Sequence, residues 1–404
     1  MRRVPSIYLQ EQMMRRTQRP SRGATWGWLF AGLMLVGSLA CNRDLLVGSD
    51  LHPTMGGTTG TGGSGGTGGS PMSCETSGMA GIGVAPPRCT AISTGLGMIN
   101  PCGRTSGIAY SPDGQLLATA TNTPQPNVHI WRLSDGTLLE DLPGHGNNYG
   151  SFSVAFSPDG TILATAGGVP DCTGPDPTKN DPSVVKLWNV STGALLRLIP
   201  ADTGGYAATA EFSHDGTRLV TGGMLGSVQI WNVADGSLVA TIPTGYTTYN
   251  ARFSPDDTRV VNAGIAHGGV WSAVDGSAIF PITGLENEMN DAAYSPDGRL
   301  IVTTGDGLRL QFFDANGSLL QSFVAQNVNY MSRAVWVDNV HVVSDDWGGN
   351  VKSWTRDATG TFVASGAWSL GSQTLGMSVS PDKKRLAIAM DAGFVFIAYQ
   401  PSDP

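Results

Sequence analysis

The chain has 404 residues, of which only 14% are charged and 55 are glycine. This composition favours a turn-rich β protein over a helical one, whose surface would need many more Lys, Glu and Ala residues. Without its first 40 residues the chain has 18 basic and 31 acidic side chains, a net charge of −13. Such a charge argues against binding of nucleic acid or of an anionic membrane by the folded part.

The N-terminus has the pattern of an export signal. Six arginines stand within the first 22 residues and precede the uncharged stretch 24–41, which ends in small residues before a cysteine. The letters GSLAC resemble a bacterial lipoprotein cleavage site, although Leu39 stands one position nearer the cysteine than usual. We expect a signal peptide over 1–40 and a lipid on Cys41, with an uncleaved signal anchor or ordinary secretion as alternatives. The protein is then expected in the bacterial cell envelope, lipid-anchored at the outer membrane or periplasmic face.

A flexible linker is predicted over 41–73, because GGTTGTGGSGGTGGS, from 56 to 70, has no side chain able to bury apolar surface. Residues 74–103 are predicted as a cysteine-containing lead-in. An even number of cysteines without C-x-x-C spacing in an exported chain favours disulfides over a metal site, with three pairings possible. The cysteines after Cys41 are Cys74, Cys89, Cys102 and Cys172.

A repeat runs through residues 104–404. Six copies have an S-P-D-G-like turn, which the sixth unit has lost over 336–340, and every copy has a Trp or Phe in a second register. That register comprises Trp131, Trp188, Trp231, Trp271, Phe313, Trp354 and Phe396. The steps between its members are 57, 43, 40, 42, 41 and 42 residues. Such regular spacing, with one step enlarged by an insertion over 167–183, indicates seven copies of one unit.

Each unit is predicted to contain four short strands. The third reads AATAEF, the turn SHDG, TRLVTGG, SVQIWNV, the turn ADGS and LVATI, with strands rich in β-branched and apolar residues. In the turn motif Ser can bond the backbone, Pro sets φ, Asp tolerates the third position, and Gly takes positive φ. His214 replaces the Pro in one copy and Asp257 replaces the Gly in another. We therefore interpret the motif as architecture and not as an active site.

Units of about 42 residues that end in HIWRL, KLWNV, QIWNV and KSWTR resemble WD40 repeats, from about residue 91 to about residue 400. The resemblance implies an all-β fold, a seven-bladed WD40-like β-propeller with four-stranded blades around a central channel. The family's Asp after Trp is found only as Asp314, and its Gly-His pair only at Gly144 and His145. In the family a His, a Ser or Thr, the Trp and an Asp form a structural tetrad. The tetrad implied for the second unit is His145, Thr165, Asp181 and Trp188.

The seventh unit lacks an outer strand, because only IAYQPSDP follows Phe396. The segment 89–95, CTAISTG, has strand character, and we expect it to complete the last blade from the other end of the chain. In a propeller of this type, the insertion of the second unit and the start of the first lie on one face of neighbouring blades. This favours a Cys102–Cys172 disulfide and leaves Cys74 with Cys89.

Tyrosines recur in the loops that join one unit to the next, here called inter-unit loops, which are expected on one face of the propeller. Tyrosine suits a protein or peptide partner because its ring supplies contact area at a small entropic cost. Packing between blades with only the hydroxyl exposed is the alternative. The tyrosines are Tyr149, Tyr206, Tyr246, Tyr249 and Tyr330.

The sequence thus predicts a monomeric, non-enzymatic protein-binding scaffold with no cofactor and no metal, attached to the membrane only through its lipid. A propeller hydrolase or lactonase-like enzyme would need convergent His, Asp, Glu or Cys side chains around the channel. The six histidines are scattered along the chain, and the acidic residues Glu286, Glu288 and Asp291 belong to one short segment. A purely structural envelope component is the other alternative.

Overall fold

The structure is a computed structural model. It describes residues 104–121, 127–145, 150–168, 185–201, 207–223, 226–265, 267–283, 288–305, 309–324, 331–391 and 393–398. The signal peptide, the linker, the lead-in with its closing strand and all five cysteines lie outside these residues. The domain boundaries, the lipid anchor and the disulfides therefore stay predictions.

The described residues form 27 β-strands in seven antiparallel sheets, numbered here in chain order. Sheets 1 to 3 contain β1 (Thr105–Tyr110), β2 (Leu116–Thr121), β3 (Val128–Arg132), β4 (Leu138–Leu142), β5 (Ser151–Phe156), β6 (Ile162–Gly167), β7 (Val185–Asn189), β8 (Leu195–Ile199), β9 (Ala207–Phe212), β10 (Arg218–Gly223), β11 (Val228–Asn232) and β12 (Leu238–Ile242). Sheets 4 and 5 contain β13 (Thr248–Phe253), β14 (Arg259–Gly264), β15 (Gly268–Ser272), β16 (Ala278–Ile282), β17 (Met289–Tyr294), β18 (Leu300–Gly305), β19 (Arg309–Asp314) and β20 (Leu319–Val324). Sheets 6 and 7 contain β21 (Met331–Trp336), β22 (His341–Asp346), β23 (Asn350–Arg356), β24 (Phe362–Ser369), β25 (Thr374–Val379), β26 (Arg385–Met390) and β27 (Gly393–Ala398).

Strands pair in chain order within every sheet. Six sheets have four strands, as in β1-β2-β3-β4, and sheet 7 has three among the described residues. The predicted all-β class and the four-strand unit are confirmed.

Neighbouring sheets pack face to face through apolar clusters. The cluster between sheets 4 and 5 includes Val261, Ile282 and Phe313, and the cluster between sheets 7 and 1 includes Leu117 and Ala387. The first strands also contact one another in order, from β1 with β5 through to β21 with β25, and β25 contacts β1. Because both faces of a sheet are covered, second strands such as LLATAT and ILATAG are buried along almost their whole length instead of alternating. The arrangement is propeller-like.

The S-P-D-G motif forms the turn between the first and second strands of a sheet. In sheet 2, Gly160 N donates to Ser157 O at 2.8 Å, and Ile162 N donates to Ser157 Oγ at 2.9 Å. Gly160 has a φ of 73°, and the residues that replace this glycine elsewhere, Asp257 and Lys383, have φ values of 56° and 60°. Left-handed backbone at the fourth position is therefore a property of the turn, whichever residue stands there.

Each such turn lies against the turn of the preceding sheet. A Cβ atom placed on Gly160 would lie 3.6 Å from Pro112 Cδ, and one placed on Gly298 would lie 3.5 Å from Pro255 Cδ. The side of the molecule formed by these turns and by the turns between third and fourth strands is called the turn face.

Candidate functional site

The side opposite the turn face is called the loop face. It includes the inter-unit loops and the connections between second and third strands that the structure describes in full, such as 243–247, 347–349 and 370–373. Within sheet 4, Ile265 N donates to Thr247 O at 3.0 Å. Between sheets 3 and 4, Gly245 N donates to Gly226 O at 2.7 Å. These backbone bonds tie the inter-unit loop 243–247 to two neighbouring connections and hold it in place.

Two of the predicted partner-binding tyrosines belong to the described residues. Tyr246 is 46% exposed, and its ring stands edge-on to His267 with centroids 5.5 Å apart. Thr244 Oγ1 donates to Tyr246 O at 3.1 Å, which fixes the backbone that carries the ring. Tyr249, the second residue of β13, is half-buried. The shared tyrosine face stays a prediction, because three tyrosines lie outside the described residues: Tyr149, Tyr206 and Tyr330.

Two tryptophans also stand at the loop-face end of sheet 6. Trp347 follows β22 directly and is half-buried. Trp368 lies near the end of β24, pairs in register with Val351 and is 37% exposed. Neither was predicted from the sequence as a site residue. Both lie outside the Trp register of the repeat, and this position could have marked them as candidates.

A chain of charged side chains crosses the first strands of sheets 3 to 6. Arg252 Nε lies 3.2 Å from Glu211 Oε2, and Arg252 Nη1 lies 3.0 Å from Asp291 Oδ1. Arg333 Nη1 continues the chain at 4.0 Å from Asp291 Oδ1. Burial raises the pKa of Glu211, and the charge of Arg252 opposes this rise. We call Glu211, Arg252, Asp291 and Arg333 the inner ion chain.

The structural environment of Asp291 differs from the one that the sequence suggested. The sequence placed it beside Glu286 and Glu288 in one acidic segment, whereas the structure places it in β17, 1% exposed and between two arginines. Its Oδ1 and Oδ2 also accept hydrogen bonds from the backbone N–H groups of Ala292 and Ala334, at 3.0 and 3.2 Å. The arginines stand 39 and 42 residues away along the chain, so only the packing of the repeat brings them to this carboxylate.

Three members of the predicted tetrad meet in sheet 2. Trp188 Nε1 donates to Thr165 Oγ1 at 3.0 Å, and His145 Nε2 lies 3.0 Å from the same oxygen. The side chain of Asn127 braces this His, because its Nδ2 donates to His145 O at 2.6 Å and its Oδ1 accepts from His145 N at 3.1 Å. Asp181 lies outside the described residues, so the four-membered tetrad stays a prediction.

The turn face has a cleft of about 360 Å³ between sheets 4 and 5, lined by Arg259, Tyr294 and two aspartates among others. Arg259 Nη1 donates to Ala315 O at 3.0 Å, and burial raises the pKa of the Tyr294 hydroxyl to about 12. The aspartates, Asp256 and Asp297, accept hydrogen bonds from their own turns. Arg259 and the two aspartates of this cleft are thus hydrogen-bonded to the turns that build it.

The described residues offer neither a metal cluster nor a membrane-spanning helix. They contain no group of three or more His, Cys, Asp or Glu side chains that could hold a metal ion. In the same part of the chain, no helix has the length and apolar character needed to cross a membrane.

Comparison with known proteins identifies the repeat. The family described as WD domain, G-beta repeat matches residues 136–173 and 196–232, from an outer strand into the following sheet in both cases. An uncharacterized WD repeat-containing protein of Synechocystis sp. is 29% identical over 218 residues, which are 53% of this chain and 58% of that relative. The chain thus matches little more than half the length of this relative. Two segments of the chain thus match WD40 repeats, in agreement with the predicted resemblance; proteins with WD40 repeats are generally non-enzymatic scaffolds that bind other proteins.

Proposed function

We propose that this protein is a non-enzymatic scaffold of the bacterial cell envelope that binds a protein or peptide partner through its loop face. The observation that carries the proposal is the exposed ring of Tyr246, set edge-on to His267 on a loop that backbone hydrogen bonds hold in place. An aromatic ring that is already positioned contributes contact area with little further loss of entropy on binding. Trp368, exposed on sheet 6 of the same face, offers a second anchor of this kind.

The scaffold that we propose is a seven-bladed propeller, with the seven sheets as its blades. Two observations support this architecture: the contact of β25 with β1, and the hydrogen bond from Tyr110 N to Ser378 Oγ at 3.2 Å, which joins the first and last sheets. In the proposed closed form, the segment 89–95 pairs with β27 and supplies the fourth strand of the last blade, so that no long edge strand is left open.

The loop face is favoured over the turn face because the turn-face side chains are already bonded. In sheet 1, Ser111 Oγ donates to Asp113 Oδ1 at 2.6 Å, and Gln115 N donates to the same carboxylate oxygen at 2.9 Å. The hydrogen bond from Ser111 is the largest cause that holds the pKa of Asp113 below its ordinary value. The turn aspartates thus already accept hydrogen bonds from their own turns. A partner would have to compete with these bonds.

The paired charges of the inner ion chain support a binding role over a catalytic one. General acid-base or nucleophilic chemistry needs a titratable group that can reach a substrate. In this chain the guanidinium of Arg252 is held between Glu211 and Asp291. These ion pairs instead orient the first strands of neighbouring sheets, which a rigid scaffold requires.

The binding proposal is tested with the full chain in a pull-down from envelope extract. The double variant Tyr246→Ala/Trp368→Ala should lose the specific partners that the wild type retains. Leu196→Ala/Leu320→Ala is the matched control, because it removes two exposed apolar side chains from outer strands away from the loop face. Equal recovery of every partner by wild type and the aromatic variant would refute binding through this face.

The envelope location is tested separately. Labelling of cells with palmitate should mark the wild type, and Cys41→Ala should lose both the label and the membrane fraction. An unlabelled wild type, or an unchanged fractionation of the variant, would contradict lipid anchoring.

A further inference from the structure

The second strand of sheet 6 has an acidic residue where the other sheets have small side chains. Asp345 is the fifth residue of β22. In the other sheets this position faces a residue near the start of the first strand, and a larger side chain would meet the next sheet; at Gly222, for example, an added Cβ would lie 2.8 Å from Thr248 Cγ2. The equivalent residues are Ala120, Ala166, Gly222, Ala263, Thr304 and Ala389.

The carboxyl group of Asp345 is only half satisfied, although the residue is 1% exposed. Its Oδ1 accepts a hydrogen bond from Arg333 N at 2.7 Å, at a break in the register between β21 and β22. Among the described residues, its Oδ2 has no hydrogen-bond partner. Thr374, the first residue of β25 in sheet 7, is close to the carboxyl, but its Oγ1 donates to Asp346 O at 2.8 Å. The unsatisfied oxygen therefore lies at the interface of sheets 6 and 7.

The surroundings of Asp345 do not compensate a negative charge. The inner ion chain is already neutral, since Arg252 and Arg333 are balanced by Glu211 and Asp291. β23 has two cations: Lys352 is in register with Ser344 instead of Asp345, and Arg356 stands at the far end of the strand, in register with Phe362. β25 has no charged residue. An ionised Asp345 would add a buried charge that no further cation offsets, which is costly in a site closed to water.

These surroundings favour the protonated carboxyl in the folded state. Burial raises the pKa of Asp345 from 3.8 to about 7, with the nearby charge of Asp291 acting in the same direction. The nearby hydroxyl of Thr374 and then the backbone N–H and the charge of Arg333 oppose this rise without cancelling it.

We propose that Asp345 is a pH-sensitive latch between sheets 6 and 7: its neutral carboxyl is tolerated in the closed interface, whereas its carboxylate loosens the packing of β22 against β25 so that water can reach it. Arg333 connects the latch to both sides, because its guanidinium approaches Asp291 of sheet 5 and its Nε donates to Leu375 O of sheet 7 at 3.4 Å. Loosening is therefore expected at the boundary with the three-stranded sheet.

The direction of the pH effect follows from the two protonation states. Because the folded-state pKa is above that of an exposed aspartate, the stabilisation by the bound proton is full below about pH 4 and is lost as the pH rises to about 7. Between these limits the open fraction of the interface should rise about tenfold per pH unit, and above about pH 7 it should level off.

The experiment is hydrogen exchange and urea unfolding of the full chain from about pH 5 to about pH 8, a window set by these two pKa values. After correction for intrinsic exchange, wild-type amides of 341–346 and 374–379 should exchange faster as the pH rises, and the urea midpoint should fall. Asp345→Asn keeps the acceptor for Arg333 N and should abolish both trends. Asp345→Thr, which introduces the residue type that sheet 5 has at Thr304, is the second variant and should behave in the same way.

Two control variants distinguish the latch from other titrating groups. Asp314→Asn removes a turn-face aspartate whose pKa is lowered chiefly by the backbone of Ser318, so it should leave the trend unchanged in this window. Glu211→Gln removes the other carboxyl whose pKa is raised among the described residues, and it should also leave the trend unchanged. The proposal is overturned if Asp345→Asn retains the wild-type trend, if Glu211→Gln abolishes it, or if exchange increases equally in all sheets.

Discussion

Asp257, in the turn of sheet 4, accepts hydrogen bonds from the backbone N–H and from Nδ1 of His214, in the turn of sheet 3, at 2.8 and 2.9 Å. Its second carboxylate oxygen accepts from Asp215 N at 2.9 Å. In the neighbouring pair of turns a glycine, Gly298, packs against a proline, Pro255. The turn in which His214 replaces proline therefore contacts the turn in which Asp257 replaces glycine, and the two replacements form one contact.

This contact predicts coupling between the two positions. Asp257→Gly should leave two backbone N–H groups without their acceptor and cost about 1–2 kcal/mol, reduced in part by relief of the left-handed φ at Asp257. His214→Pro/Asp257→Gly should recover much of that loss, because it restores the proline–glycine contact. Urea unfolding of the wild type, both single variants and the double variant gives the coupling energy, which we expect to be about 1 kcal/mol. Additive changes within error would show that the two replacements are independent.

A second prediction concerns the indole hydrogen bond of the repeat. In five sheets a Trp of the second register donates to a polar side chain on the second strand, as Trp231 Nε1 does to Thr221 Oγ1 at 3.0 Å. Sheet 5 has Phe313 in that register, and the buried Oγ1 of Thr303 has no partner within the described residues. Thr221→Val should therefore cost about 1–3 kcal/mol, whereas Thr303→Val should be neutral or stabilising.

The comparison of these two matched valine variants is made by thermal or urea unfolding. A loss of stability at Thr303 equal to that at Thr221 would mean that the Thr303 hydroxyl has a partner after all.

A third prediction concerns the inner ion chain. Arg252→Met should destabilise the fold by about 3–5 kcal/mol, because it leaves the buried carboxylate of Asp291 with only the distant guanidinium of Arg333 and two backbone donors. Arg299→Met is the matched control, since its side chain is 84% exposed and its contact with Asp297 is 3.9 Å long; it should change stability by no more than about 0.5 kcal/mol. Similar effects of the two variants on the urea midpoint would refute a stabilising role for the chain.

A fourth prediction concerns the cysteines. If the mature chain has the disulfides Cys102–Cys172 and Cys74–Cys89, its intact mass should increase on reduction by the hydrogens of four thiols. Peptide mapping without reduction should recover the two linked pairs. Four free thiols in the exported protein would rule out both disulfides, and a different linked pair would correct the pairing.

The sequence allowed the fold to be predicted well because the signals of the repeat are local. A turn such as 157–160 specifies its own φ values and hydrogen bonds within five residues, and each strand signal occupies about six residues. The candidate site was harder to predict. Tyr246 was identified from its place in an inter-unit loop, but its contact with His267, and the exposure of Trp368, depend on how the ends of several strands meet.

Strand order, turn chemistry and the WD40 repeats could thus be predicted from the amino-acid sequence, since these depend on residues close together in the chain. The side chains that meet across sheets are known only from the folded structure, because such partners stand about one repeat apart and linear spacing does not pair them. Asp257 with His214 and Asp291 with Arg252 are such cases, separated by 43 and 39 residues. The burial of Asp345 is a further case, because the strand sequence HVVSDD does not reveal that sheet 7 packs over this residue.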